Sequence, residues 1–137
     1  MTITINSTLK QTRANTIKTA IDAGAGAGLI RFYADPRPAS GAAPTGALLG
    51  TITLTDPCGT VSAAGLTLTA AAVTQAVADG VITWARVLDS TLTYVFDADV
   101  RDPGAGDAGI ADFLINSQQV YTGGYLVLAS AVLAEGG

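Results

Sequence analysis

The segment Gly80 to Val100, "GVITWARVLDSTLTYVFDADV", constrains the fold of this chain more than any other stretch. Two runs rich in β-branched and aromatic residues flank Asp89-Ser90, and such residues suit a pleated, half-buried surface. Trp84, Arg86 and Leu88 fall on one face of the first run, and Thr83, Ala85 and Val87 on the other. Alternation on both sides of a short polar break predicts a β-hairpin, although the break lacks the glycine common in tight hairpin turns. Alternation alone leaves either face as the buried one.

Similar patterns recur along the chain. Leu29 to Ala34 is predicted as a strand, with Ile30 and Phe32 opposed to Arg31 and Tyr33. Asp35-Pro36-Arg37-Pro38 ends it, because proline lacks a ladder donor, and a loop covers Ala39 to Gly46. Leu48 to Thr55 places Leu48, Gly50, Ile52 and Leu54 on one face and Thr51, Thr53 and Thr55 on the other. After the expected turn region "DPCGTVSAAG", Leu66 to Thr69 repeats the alternation. "TAAAVTQAVADG" reads equally as short helix or loop, and "RDPGAGDAG" as loop. A last hairpin is expected from Asp112–Tyr121 and Tyr125–Ala134 around Thr122-Gly123-Gly124. Seven or eight strands at this spacing predict a mainly β, antiparallel sandwich.

The N-terminal region differs. Thr2, Ile3, Thr4 and Ile5 alternate as a short strand or extended arm over residues 1–6, a candidate for adding to a neighbouring sheet. A helix over 7–23 is predicted, capped by Asn6 or Ser7, with Leu9, Ala14, Ile17, Ala20 and Ile21 as a modest apolar stripe. Leu9, Lys10, Arg13 and Ile17 are its candidate interface residues. Gly24 stands where a left-handed C-cap belongs. The Gly24-Ala25-Gly26-Ala27-Gly28 run follows a helix and precedes a strand, the reverse of a dinucleotide loop, and it lacks a Gly-Lys-Ser/Thr sequence. It reads as a helix-to-strand joint. The chain is thus expected to form one domain over 1–137, with sandwich strands over 29–135.

Composition narrows the function classes. Charged residues are 13% of the 137, against about a quarter in typical domains, so much of the surface is Thr, Ser, Ala and Gly. Seven Lys and Arg against eleven Asp and Glu oppose a nucleic-acid partner, which needs clustered cations. The uncharged stretch Pro57 to Ala78 is broken by Gly, Thr, Ser and Gln and does not read as a membrane span. The N-terminus lacks a signal-peptide pattern. The single Cys58 has no partner for an internal disulfide and reads as an incidental thiol in a turn, consistent with cytosolic synthesis.

The chain has no histidine, which removes Ser-His and Cys-His catalysis. Ser7-Thr8-Leu9-Lys10 matches Ser-x-x-Lys without its companion motifs, and helix capping explains Ser7 equally. Asp97 and Asp99 share one strand face within the acidic run Asp97, Asp99, Asp102 and Asp107, a candidate cation or glycan site. The run lacks the glycine and terminal glutamate of an EF-hand loop, and a solvated strand end is the plainer reading. Trp84, Tyr94, Phe96, Tyr121 and Tyr125 would stack sugars if exposed, but with so few large residues most are expected in the core. No enzyme activity, metal or cofactor is expected.

The order "LIRFYADPRPAS", "TGALLGTITLTDP", "GVITWARVLDSTLTYVFDADV" and a closing hairpin resembles a group of small tailed-bacteriophage and prophage proteins. Their pattern is a basic N-terminal helix, a strand of type L-R-I-Y with a P-A turn, and W-x-R-x-x-D leading to V-x-D. Here it falls on Leu29-Ile30-Arg31-Phe32-Tyr33, Pro38-Ala39, Trp84-Arg86-Asp89 and Val95-Asp97. The resemblance implies a non-enzymatic virion protein with a β-sandwich, jelly-roll-like fold, made in the host cytoplasm. A capsid cement or decoration subunit that forms homo-oligomers and binds the major capsid protein or other virion proteins fits it first. A tail-associated accessory protein or a carbohydrate- or receptor-binding module is the alternative.

Overall fold

The computed structural model describes residues 6–62, 65–102 and 113–133. Among the described residues the chain is mainly β with one helix, α1 (Ser7–Ile21). The strands are β1 (Leu29–Tyr33), β2 (Leu48–Ser62), β3 (Gly65–Ala70), β4 (Thr74–Gln75), β5 (Gly80–Val81), β6 (Trp84–Leu88), β7 (Tyr94–Arg101), β8 (Phe113–Ile115), β9 (Gln119–Val120), β10 (Tyr125–Leu126) and β11 (Leu128–Leu133).

Seven strands close a barrel in the order β1-β2-β3-β11-β8-β7-β6, with β6 returning to β1. Among the described residues, every pairing is antiparallel except β7 with β8. The expected two-sheet sandwich is therefore replaced by a single closed sheet, and β2 shows why. Its first half pairs with β1 and its last residues with β3, and between Leu54↔Ala70 and Gly59↔Leu68 the register jumps. A bulge bends a strand and raises its twist, so β2 turns the corner that a sandwich would make with a loop. "DPCGTVS" is accordingly strand, where a turn was expected, and Cys58 is buried within it.

Ile30, Phe32, Ile52, Leu54, Ala85, Val87, Ala98, Val100, Phe113 and Ile115 fill the interior. Leu48 breaks the expected alternation. Phe32 faces Gly50 and Tyr33 faces Leu48, so Leu49 is the extra residue of a small bulge and turns inward in its place.

Helix α1 starts on Asn6, whose side chain accepts from the Thr8 N–H at 2.8 Å, and Gly24 beyond it is left-handed at φ +91°. The helix touches β2, β3 and β7. These strands lie on opposite sides of the barrel, so α1 crosses one of its ends. Ala14 and Ile21 join the core, Ile17 packs on it, and Leu9 and Ala20 stay exposed. The stripe that faces the barrel is thus Lys10, Ala14, Ile17 and Ile21, spaced by three or four residues. Gly28 gives the joint its closeness: a Cβ there would lie 2.5 Å from Ile21 Cγ2.

The other end is closed by two ribbons, β4 with β10 and β5 with β9. "TAAAVTQAVADG" is thus not a short helix but mostly irregular chain, with Thr74–Gln75 forming β4 within it. The predicted last hairpin is also divided: β8 pairs with β11, whereas β9 and β10 each leave to pair with β5 and β4. Ala76, Ile82, Val120 and Leu126 reach from the ribbons into the core.

Candidate functional site

Two regions of the surface carry the residues singled out by sequence: the outer face of β1, β6 and β7, and the ribbon end.

On the outer face, Trp84 and Arg86 of β6 point away from the barrel interior, yet both are buried. The segment between β1 and β2 covers them. Ala34 N–H donates to Ala47 O and closes the base of this strap. Trp84 Nε1 donates to Ala34 O at 3.0 Å, and Thr83 Oγ1 to Asp35 Oδ1 at 2.8 Å. Farther along, Arg37 reaches Asp99 Oδ1 at 2.6 Å and Asp97 O at 3.3 Å, and Ser40 Oγ lies 2.9 Å from Tyr94 Oη. The strap therefore runs from β1 over β6 to β7, and both faces of β6 are buried.

Beneath it lies one connected cluster. Tyr33 stacks on Trp84 with centroids 4.7 Å apart. The Arg86 guanidinium carbon sits 5.5 Å from the Trp84 ring and 4.9 Å from the Tyr94 ring, within range of a cation–π interaction. Arg86 Nε donates to Asp97 Oδ1 at 2.8 Å and NH2 to Asp97 Oδ2 at 3.1 Å, a bidentate fork. Hydrogen bonding to Asp97 pushes the Arg86 pKa above its already high ordinary value. Across the sheet Arg31 stands opposite Arg86, and its buried Nε has no hydrogen-bond partner.

The candidate pair Asp97 and Asp99 is thus occupied by arginines: Asp97 by Arg86, Asp99 by Arg37. Among the described residues, no group of three or more His, Cys, Asp or Glu side chains is placed to hold a metal ion. Asp107 and the arm Thr2–Ile5 lie outside the described residues. Of the proposed helix interface, Leu9 and Arg13 are exposed, Lys10 is half-buried, and Ile17 packs on the chain's own core. The four do not form one outward face. Among the described residues, no helix is long and apolar enough to cross a membrane.

The hairpin between β6 and β7 works without glycine because Asp89 braces it. Its Oδ1 accepts from Thr91 Oγ1, Thr91 N and Thr93 N at 2.7, 2.8 and 3.0 Å. These bonds, the Thr91 hydroxyl foremost, hold the Asp89 carboxyl below the usual carboxylate range. Leu92 takes the left-handed position at φ +67° that glycine usually fills.

At the ribbon end, alternation turns Ala76 and Leu126 inward and leaves Val73, Gln75 and Val77 outward on one strand. Tyr125 and Val127 face outward on the other, and Tyr121 opens the turn between β9 and β10, with Gly124 N donating to Tyr121 O. Tyr121 is 64% and Tyr125 69% exposed, the two highest values among the exposed large apolar residues. Most of the five aromatics were expected in the core; Trp84 is instead buried under the strap, Tyr94 and Phe96 are half-buried, and these two tyrosines are exposed. Sequence reasoning missed the grouping because β4 and β10 are only two residues long each. The available signal was the absence of charge in both 70–78 and 113–134. No protein-family model, curated protein or solved structure matches this chain.

Proposed function

We propose that this chain is a non-enzymatic structural component of a tailed-phage virion, a cement or decoration subunit that stabilises the shell by bridging neighbouring capsid proteins. The observation that carries the reading is what becomes of its reactive-looking side chains. Arg86 and Asp97 are locked to each other under the strap, Asp99 to Arg37, and Asp89 to its own hairpin. Four of the residues on which the phage resemblance rests, Trp84, Arg86, Asp89 and Asp97, thus serve as scaffold. Large apolar side chains, by contrast, are offered outward at one braced end of the barrel, as suits a protein that acts by contact.

A second reading, a carbohydrate- or receptor-binding module, draws on the exposure of Tyr121 and Tyr125. Against it, neighbouring polar groups already serve the fold. Asp79 accepts from Thr122, Gln119 donates to Gly80 O, and Asn116 bridges Tyr125 O and the Val127 N–H. Few remain to read sugar hydroxyls.

The test is mass spectrometry and immunogold labelling of gradient-purified particles from the strain that encodes the chain. Stoichiometric incorporation on the shell is expected. Particles that lack the protein would overturn the virion reading, and label confined to tails would move it to the accessory class.

A further inference from the structure

We propose that Arg31, on the outer face of β1, is a binding contact for an acidic side chain of a partner protein, taken end-on by its guanidinium with the Thr51 hydroxyl beside it. The contact rests on the structural reading above, in which that partner is a capsid protein, and gives one point at which it is held.

Pairing sets Arg31 between Thr51 of β2 and Arg86 of β6, and Arg86 faces Asp97 of β7. Successive strands therefore carry the outward row Thr51, Arg31, Arg86 and Asp97. Arg86 and Asp97 match each other, which leaves one positive charge in the row unmatched. Like charges directly opposite in a sheet are destabilising, so the row is under tension where Arg31 stands.

The side chain is fixed at its root and free at its head. Arg31 is half-buried, and its buried Nε has no hydrogen-bond partner. Its terminal nitrogens reach the surface and have none among the described residues either. The other arginines of the strands and the strap each have an acceptor: Arg37 has Asp99, Arg86 has Asp97, and Arg101 has Thr83 O and Val100 O. A buried donor left unpaired costs free energy, and folded proteins keep few of them. Arg31 is thus placed by the fold without being used by it.

Three features select a carboxylate carried by a protein. An arginine fork matches the two oxygens of a carboxylate. A phosphate dianion calls for a second cation, and Arg86 across the sheet is already forked to Asp97. Finally, the head stands on an outer sheet face, beside a β2 segment with no charged residue from Leu48 to Thr55. A free carboxylate would be held there by little else, whereas one delivered by a partner adds to the contacts around it, a role in which arginine is enriched.

Proton–nitrogen NMR of the full chain, titrated with sodium acetate and separately with sodium phosphate at constant ionic strength in chloride, tests the site. Acetate is expected to shift the Arg31 Nε–H and Thr51 amide signals along a saturable curve, and Arg31→Met should abolish the Thr51 shift. No saturable shift, or the same Thr51 shift in the variant, would overturn the site, and phosphate binding tighter than acetate would overturn the carboxylate assignment. Urea melts of Arg31→Met should show a midpoint no lower than that of the wild type, because the variant keeps an apolar stem and removes a charge that the fold does not pair. A lowered midpoint would make Arg31 a structural residue and overturn the proposal. Capsids purified from a strain deleted for this chain should bind Arg31→Met roughly tenfold or more weakly than the wild type, with Arg31→Lys, which lacks the fork, in between. Equal binding of Arg31→Met would overturn the contact. Capsids that bind neither protein would sink the virion reading alone, and the acetate titration would still decide the site.

Discussion

Removing the Asp97 carboxylate should destabilise this barrel more than its place on the outer face suggests. In Asp97→Ala the Arg86 guanidinium loses both arms of its fork, at 2.8 and 3.1 Å, while its side chain stays 8% exposed under the strap. Breaking a buried ion pair from one side costs about 3–5 kcal/mol, because the remaining charge is left uncompensated. Two features put this case at the low end. The strap is a single layer of chain, and Arg86 keeps the Trp84 and Tyr94 rings at 5.5 and 4.9 Å. A loss of about 3 kcal/mol follows, or a urea midpoint lower by roughly 1.5–2 M for an m-value near the middle of the usual range. The double variant Arg86→Met/Asp97→Leu should recover most of that loss, since apolar replacement of both partners removes the stranded charge. Asp99→Ala, which breaks the exposed pair with Arg37, should stay within about 1 kcal/mol. Urea melts of the four proteins decide the matter. A cost below about 1 kcal/mol for Asp97→Ala, or a double variant no better than the single one, would falsify the view that the strap desolvates this pair.

Three further outcomes are expected. Leu92→Gly should stabilise the protein by about 1 kcal/mol, because Leu92 holds φ +67° while its side chain is half exposed and little packing is lost; a melt showing destabilisation refutes this. Asp89 has a folded pKa below its unfolded value of about 3.9, so its contribution is present above that value and disappears as pH falls through the lower folded pKa. The melting-temperature gap between wild type and Asp89→Asn should therefore narrow between pH 5 and pH 2.5 (roughly the titration range of such a carboxylate), and a constant gap contradicts the bracing role. Burial, with the Asp22 carboxylate nearby, pushes the Cys58 thiol up to about 12. At pH 8 only about one thiol in ten thousand is then ionised, so labelling by a disulfide reagent should be slow in the native protein and fast in urea. Stoichiometric native labelling within minutes would show that β2 opens around Cys58.

The elements that were legible in the sequence are those whose local chemistry and tertiary role agree. Asn6 caps the helix, Gly24 leaves it in the left-handed region, and Ile30 and Phe32 alternate inward because β1 has one apolar face. Asp89-Ser90 marked the hairpin even without glycine, since the Asp89 side chain supplies bonds that hold Leu92 in glycine's place. Legibility failed where long-range pairing overrode local preference. Asp56-Pro57-Cys58 carries turn residues, yet it lies inside β2 because a bulge there lets one strand serve both β1 and β3. The stretch Ala70 to Ala78 is alanine-rich, yet Thr74-Gln75 within it is strand because β10, about fifty residues away, offers it a ladder. Neither signal exists in a short window.

The open choice between the two faces of β6 had the same origin. Alternation assumes that one face of a strand meets water, but here Ala85 and Val87 line the barrel while Trp84 and Arg86 lie under the strap. A two-sided burial requires the chain to return over its own outer surface, and the prolines and glycines of 35–46, which looked only like a strand terminator and a loop, make that return possible. Placing Arg86 under the strap then requires Asp97 two strand positions before Asp99, so that the inner carboxylate pairs with Arg86 and the outer one anchors Arg37. The pair Asp97 and Asp99, which first suggested a cation site, is thus met by two cations of the chain itself. At the ribbon end the described residues also leave apolar groups outward, Val73, Val77, Tyr125 and Val127 on the β4–β10 ribbon and Tyr121 in the turn before β10, with Asn116 and Asp79 bonded beside them.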